Sequence, residues 1–216
     1  MFKVKVEIVT GFLSSGKTTF INSLINKTLI KNEKIVILLC EQGNRSIDSR
    51  IKNKENIKVK YIMIYKEITE EILFDIYKYE KPDRVIIEFN GTKDLKDLSN
   101  VMSNRFIKKI YRVNTIYHLT DCSTFNVFLS NMGNILISPI KYSNIVMLNN
   151  KDRVDDKEIN LIKSKLLKIN PTCYILEVNS TSCIEKAVKE SSLFYIDIFY
   201  KLKLALEDYR GRDYDR

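Results

Sequence analysis

Gly11, Gly16, Lys17 and Thr18 stand in the stretch Thr10-Gly11-Phe12-Leu13-Ser14-Ser15-Gly16-Lys17-Thr18-Thr19 at the spacing G-x-x-x-x-G-K-[ST]. Glycines at such positions let backbone N–H groups turn inward around phosphate oxygens, and a helix starting behind them adds a field that favours anions. A lysine there places a point charge on the β- and γ-phosphates, and the following hydroxyl can ligate Mg²⁺. Gly11, Ser14, Ser15, Gly16, Lys17, Thr18 and Thr19 are therefore the candidate phosphate-binding residues. Val4, Val6, Ile8 and Val9 lead into the loop as an apolar strand, and Phe20, Ile21, Leu24 and Ile25 leave it at helical spacing. Agreement of strand, loop and helix makes the motif specific, and it implies a nucleoside triphosphate ligand.

The elements that must position this loop alternate along the chain. Residues 4–9, 34–40, 58–64, 84–88, 111–120, 144–149 and 173–178 read as buried strands rich in Ile, Val and Tyr. Between them, Glu67–Tyr79 carries Ile68, Ile72, Ile76 and Tyr79 at helical spacing, and Asp156–Ile169 carries Ile159, Ile162, Leu166 and Ile169. Asp94–Lys109 is a less regular helix, and Leu193–Leu206 reads as a final one before the polar tail Glu207–Arg216. The alternation predicts an α/β fold with a mainly parallel sheet flanked by helices on both faces. With six glycines and three prolines and no linker-like run, residues 1–206 read as one nucleotide-binding domain and 207–216 as its tail. In a parallel sheet the C-terminal strand ends share one edge, so the loops there are where function is to be sought.

Four such loops carry chemistry. The second strand runs into Cys40-Glu41-Gln42-Gly43-Asn44-Arg45-Ser46-Ile47-Asp48; the fourth ends in Ile86-Ile87-Glu88-Phe89-Asn90-Gly91; the sixth reaches Asn149-Asn150-Lys151-Asp152; and the fifth ends at Asp121, read as the cap of the next helix. Carboxylates on that edge can supply oxygen ligands to Mg²⁺ or order a water, and Gly91 would let a backbone N–H approach the γ-phosphate. Together with the phosphate loop, these stretches resemble the CobW-type GTPases, relatives of the urease and hydrogenase maturation GTPases UreG and HypB. The likeness runs in order over residues 4–190 and implies a P-loop NTPase of the SIMIBI-like three-layer kind. It implies a GTP/GDP- and Mg²⁺-dependent switch of slow turnover, with Lys17, Glu41 and Glu88 as catalytic candidates and Thr18 and Asp48 as metal ligands. Asn149 and Asp152 align with the guanine-reading N-K-x-D pattern. A carboxylate accepts from guanine N1–H and the 2-amino group in a way adenine does not offer. Asn150 stands where that pattern has lysine, which leaves an ATP-using protein open. The resemblance also implies a protein client, a metalloenzyme or its maturation factor, and allows a homodimer.

Two further departures matter. The family carries a metal-binding C-x-C-C motif where this chain has Tyr61-Ile62-Met63-Ile64-Tyr65-Lys66-Glu67, and it prefers glycine at position 14. A serine forced to φ > 0 there adds strain of ~1 kcal/mol or more. Ser14 and Asn150 together leave a second reading open, a nucleotide-binding scaffold or adaptor without turnover.

Composition narrows the class. The chain has 216 residues, 44% hydrophobic and 29% charged, as in ordinary globular proteins. No run approaches a membrane span, and no leader is recognisable, so a cytoplasmic protein without membrane contact is expected. The net charge of +9 is spread among acids and Asn rather than clustered, which argues for a solvated surface over nucleic-acid binding. Cys40, Cys122, Cys173 and Cys183 show no ligand spacing, so reduced thiols are expected, with Cys40 and Cys122 as the only two that could meet on the nucleotide edge. The single His118, in an apolar strand, is expected to be a satisfied structural histidine.

Overall fold

A computed structural model describes residues 3–40, 46–62, 67–91 and 93–194. Seven strands, β1 (Val4–Thr10), β2 (Ile35–Leu39), β3 (Ile57–Tyr61), β4 (Arg84–Glu88), β5 (Tyr111–Asp121), β6 (Ile145–Asn149) and β7 (Tyr174–Glu177), form one sheet in the order β3-β2-β4-β1-β5-β6-β7. Every pairing is parallel. Strands β2, β4 and β6 are buried at every position, which is why they read as unbroken apolar runs rather than alternating ones.

Among the described residues seven α-helices lie between the strands and an eighth follows the last: α1 (Lys17–Thr28), α2 (Ser49–Lys52), α3 (Glu70–Glu80), α4 (Leu95–Ser103), α5 (Ile107–Ile110), α6 (Cys122–Tyr142), α7 (Asp156–Ile169) and α8 (Ile184–Glu190). On one face, Phe20, Ile21, Leu24 and Ile25 of α1 join Ile184 and Val188 of α8 over Val9, Ile37, Ile86 and Leu119. Lys27 fastens these two helices, its ammonium donating to the carbonyls of Val188 and Lys189 at the end of α8. On the other face, α3, α4 and α5 cover β1, β2 and β4, while α6 and α7 cover β6. The expected strands and the helix over 156–169 are present.

The differences have local causes. The stretch 94–109 is two helices, because Asn104 leaves helical geometry and its Oδ1 accepts from the Phe106 amide. Of the stripe expected around α3, Ile68 and Ile76 are buried and Ile72 packs partly buried against the same core, whereas Tyr79 is 68% exposed and Leu73 is buried in addition. Helices α2, α6 and α8 were not anticipated by periodicity. Helix α6 bends at Met132, beside Gly133, and contains Pro139, two residues that argue against a long helix. Of the expected final helix, residues 195–206 lie outside the described residues, as does the tail.

One polar cluster is buried at the end of the sheet away from the loop-bearing edge. Arg84 on β4 donates to Glu33 Oε2 at 3.0 Å, to Thr28 Oγ1 at 2.9 Å and to Glu7 Oε2 at 3.4 Å. One cation thus faces two carboxylates in a desolvated place. Burial pushes the Glu7 carboxyl above its ordinary range; Arg84 opposes this and the charge of Glu33 adds to it. Because the folded state holds this proton more tightly than the unfolded chain, the stability it contributes is full below the ordinary glutamate pKa. That contribution is lost as pH rises through the raised value. The difference in Tm between Glu7→Gln and the parent is therefore expected to grow in favour of the variant from pH 5 to pH 8. A pH-independent difference would refute the assignment.

Candidate nucleotide-binding site

Strand β1 ends at Thr10, and the six residues that follow carry three left-handed backbone positions: Gly11 at φ 143°, Ser14 at φ 63° and Gly16 at φ 102°. Two of these are glycines, but Ser14 adopts the left-handed region with a side chain, so the strain expected there is present. The glycines are also demanded by space. A Cβ on Gly11 would lie 2.2 Å from the Leu119 carbonyl oxygen of β5. A Cβ on Gly91, in the turn after β4, would lie 2.0 Å from the Gly11 carbonyl oxygen. Gly91 is thus needed for close backbone packing against the loop, a reason separate from any approach to phosphate.

Lys17, 4% exposed, opens α1 and turns back over the loop, its ammonium donating to the carbonyls of Gly11 at 2.8 Å and Phe12 at 2.9 Å. The loop therefore presents a desolvated, oriented cation beside a helix N-terminus. One residue on, Thr18 Oγ1 donates to both oxygens of Glu88 at 3.0 and 3.1 Å. The hydroxyl from α1 and the carboxylate from the end of β4 form a pair of adjacent oxygen donors. Two oxygens bound side by side on an octahedral ion at ~2.1 Å lie ~3.0 Å apart, so this pair suits Mg²⁺. Among the described residues no three His, Cys, Asp or Glu side chains group as ligands for a softer metal.

Asp48 is placed differently. It caps α2, its Oδ1 accepting from the Arg50 amide at 2.8 Å and its Oδ2 from Arg50 Nη2 at 2.7 Å. These bonds to Arg50 hold its carboxyl below the ordinary range. Its own amide donates to Asn22 Oδ1, one turn along α1 from Thr18. The carboxylate that touches Thr18 is that of Glu88. Glu41 lies outside the described residues.

The third part of the site is built from the ends of β5, β6 and β7. Asn149 is fully buried, and its Nδ2 donates to the Ser15 carbonyl at 3.0 Å and to Thr181 Oγ1 at 2.9 Å, bracing the phosphate loop against the last loop of the edge. Asn150, at φ 56°, donates from Nδ2 to Asp121 Oδ2 at 2.6 Å, and its Oδ1 accepts from the Thr181 amide at 3.3 Å. Asp121 caps α6 as expected, Oδ1 accepting from the Ser123 amide, and its second oxygen makes this further bond. Lys151 does not take the place of the missing lysine: its ammonium is 2.7 Å from Glu177 Oε2. Asp152 is exposed at the edge, with its backbone amide on the Asn179 carbonyl. The tie between Asn150, Asp121 and Thr181 had no signal in sequence order.

Within and beneath the loop, the hydroxyls of Ser15 and Thr10 and both ring nitrogens of His118 are buried with no hydrogen-bond partner among the described residues. His118 is a structural histidine of β5 as expected, but it is not a satisfied one. Burial, reinforced by the charge of Lys17, lowers its pKa to about 3, so it is neutral at physiological pH. All four cysteines are reduced thiols. Cys40 follows β2 and Cys122 follows β5, three strand spacings or ~14 Å apart, so the two thiols do not meet.

The sequence model of the CobW/HypB/UreG nucleotide-binding domain matches residues 5–177, most of the chain and all seven strands of the sheet. The chain belongs to that family. It is 22% identical over 235 residues to the zinc-regulated GTPase metalloprotein activator 1 of Dictyostelium discoideum, covering 89% of this chain and 49% of the relative. A second activator of the same name, from Schizosaccharomyces pombe, is 22% identical and covers 81% and 45%. The chain thus spans about half the length of these relatives. Among solved structures, the Zn(II)-bound YjiA GTPase of E. coli superposes with a TM-score of 0.63 at 23% identity, covering 81% of this chain and 57% of that one, a likeness of fold. No helix among the described residues is long and apolar enough to cross a membrane.

The backbone contact at Gly91 gives a direct test of how this family member holds its loop. Gly91→Ala is expected to cost ~1–3 kcal/mol in urea denaturation, because its neighbours are backbone atoms and cannot swing aside. Gly133→Ala, whose Cβ would meet nothing nearer than 3.8 Å, is expected to be neutral or stabilising.

Proposed function

We propose that this chain is a Mg²⁺-dependent guanine-nucleotide switch that hydrolyses GTP slowly and signals its nucleotide state to a protein client in metalloenzyme or metallocofactor maturation. The observation that carries the reading is the direct pairing of Thr18 with Glu88 beside the buried ammonium of Lys17, in a chain of the CobW/HypB/UreG family. Lys17 exchanges the Gly11 and Phe12 carbonyls for β- and γ-phosphate oxygens. Amides of residues 11–16 and the α1 N-terminus hold the remaining phosphate charge. Thr18 and Glu88 are the residues that would hold Mg²⁺, which supplies charge neutralisation on the phosphates. Glu88, 4% exposed, also orders the attacking water. Asp48 can join only if it gives up Arg50. With no arginine contributed to the phosphates by the described loops, turnover below ~10⁻² s⁻¹ is expected.

Base selection rests on Asp152 accepting from guanine, with Asn149 fixing the loop and residues 179–181 alongside. One observation favours a second reading. Asn150, bound to Asp121 and Thr181, offers no long side chain to pack along a base, and this would allow ATP to enter. The relatives named as metalloprotein activators support a client of the maturation class.

Competition titration of metal-stripped protein decides between the readings, with fluorescent GTP displaced by GTP, GDP and ATP with and without Mg²⁺. Guanine-selective, Mg²⁺-dependent binding is expected; equal or stronger ATP binding would establish the second reading. Lys17→Ala is expected to abolish triphosphate binding. Glu88→Gln should retain binding while losing ~10²-fold or more in single-turnover hydrolysis. Asp152→Asn should lower the GTP-to-ATP affinity ratio at least ~10-fold, and an unchanged ratio would remove Asp152 from base reading.

A further inference from the structure

At the end of the sheet away from the nucleotide edge, two helices leave a gap. Ser138 of α6 donates to Asp94 at the start of α4 at 3.0 Å. Both helices run back along the sheet from its C-terminal edge. Helix α6 stops one turn later at Tyr142, whereas α4 continues through Ser99, Met102 and Ser103. Strand β5 is also longer than its neighbour: β6 pairs with it only from Tyr117 onward, so Tyr111–Val113 are hydrogen-bonded along β1 alone. The result is a cavity of about 430 Å³ floored by Ile8 and Ile116 and walled by Leu95, Met102, Tyr111 and Tyr142.

Its size lies in the range of small-molecule sites rather than of packing defects. At the packing density of protein interiors it accommodates roughly 15–20 non-hydrogen atoms. Its chemistry is two-sided. The floor and walls are apolar, while the charged residues that line it are Lys3, Lys108 and Arg112, all exposed, and among the described residues no carboxylate lines it. They come from three different elements: the lead into β1, α5 and the start of β5. These solvated cations attract an anionic head group at the rim and repel a cationic one. We propose that this cavity is a binding site for a small amphipathic anion, an acyl carboxylate by class, with its chain against Ile8, Met102 and Ile116 and its head group among Lys3, Lys108 and Arg112.

The site is separate from the nucleotide edge, and so is its test. Isothermal titration calorimetry of the full chain with dodecanoate, below its micelle concentration, is expected to show saturable one-to-one binding. Dodecyltrimethylammonium, with the same chain and the opposite head, is expected to bind at least about tenfold more weakly. The double variant Lys108→Glu/Arg112→Glu should narrow or reverse that ratio. Ser99→Trp, which sets an indole in the mouth from an exposed position of α4, should abolish dodecanoate binding. Circular dichroism and the nucleotide titration of each variant report whether the fold and the phosphate loop are intact, so failure here is distinguishable from failure of the switch reading. Absence of saturable dodecanoate binding, equal affinity for the two head groups, or binding untouched by Ser99→Trp would overturn the proposal.

Discussion

Three backbones meet at Gly11. The chain leaving β1 passes against the Leu119 carbonyl of β5 on one side and against Gly91 of the β4 exit on the other, in spaces that no side chain could share. The rest of the site follows from this contact. It fixes where the loop carbonyls lie, and two of them hold the ammonium of Lys17. It also fixes the exit of β4 relative to α1, so that Glu88 meets Thr18. The sheet order makes the meeting possible by placing β1 between β4 and β5 at its centre.

Charge is distributed to match. At the nucleotide edge a buried lysine lies close to a carboxylate–hydroxyl pair, and further along, asparagines rather than ions tie Asp121, Ser15 and Thr181 together. At the opposite end, Arg84 bonds both Glu7 and Glu33, and the charge of Lys5 also acts on Glu7. Loss of Arg84 would leave both carboxylates buried and uncompensated, whereas loss of the Glu7 charge leaves Arg84 paired with Glu33. The two ends of the sheet thus use polar burial differently: one to hold strands and a helix end together, the other to present reactive groups.

Much of this arrangement is legible along the chain because its signals are local. A strand buried on both faces is a run of Ile and Val, and the phosphate loop is one contiguous motif with its strand and helix attached. The readings that failed depend on distance or on context. Residues 7, 33 and 84 meet only after three crossovers, and nothing in their spacing announces it. Helix α6 contains Gly133 and Pro139, so its breakers conceal a helix that tertiary packing sustains. Asn150 acquires its role from a left-handed backbone that turns its amide towards Asp121, a property of the folded loop rather than of the residue. His118 was expected to find partners, and the apolar strand that hides it provides none.

The unpaired groups under the loop set a limit on how far this protein could be hardened. Among the described residues nothing bonds the buried polar atoms of Thr10, Ser15 and His118, and a buried polar group left unbonded costs about 1–3 kcal/mol. Replacing them by apolar residues of similar shape would recover that energy and make the domain more robust. The same change would stiffen and dry the floor on which the phosphate loop rests. Here the easiest gains in stability lie directly under the machinery most exposed to their side effects, and selection for heat resistance would meet selection for function within one layer of side chains.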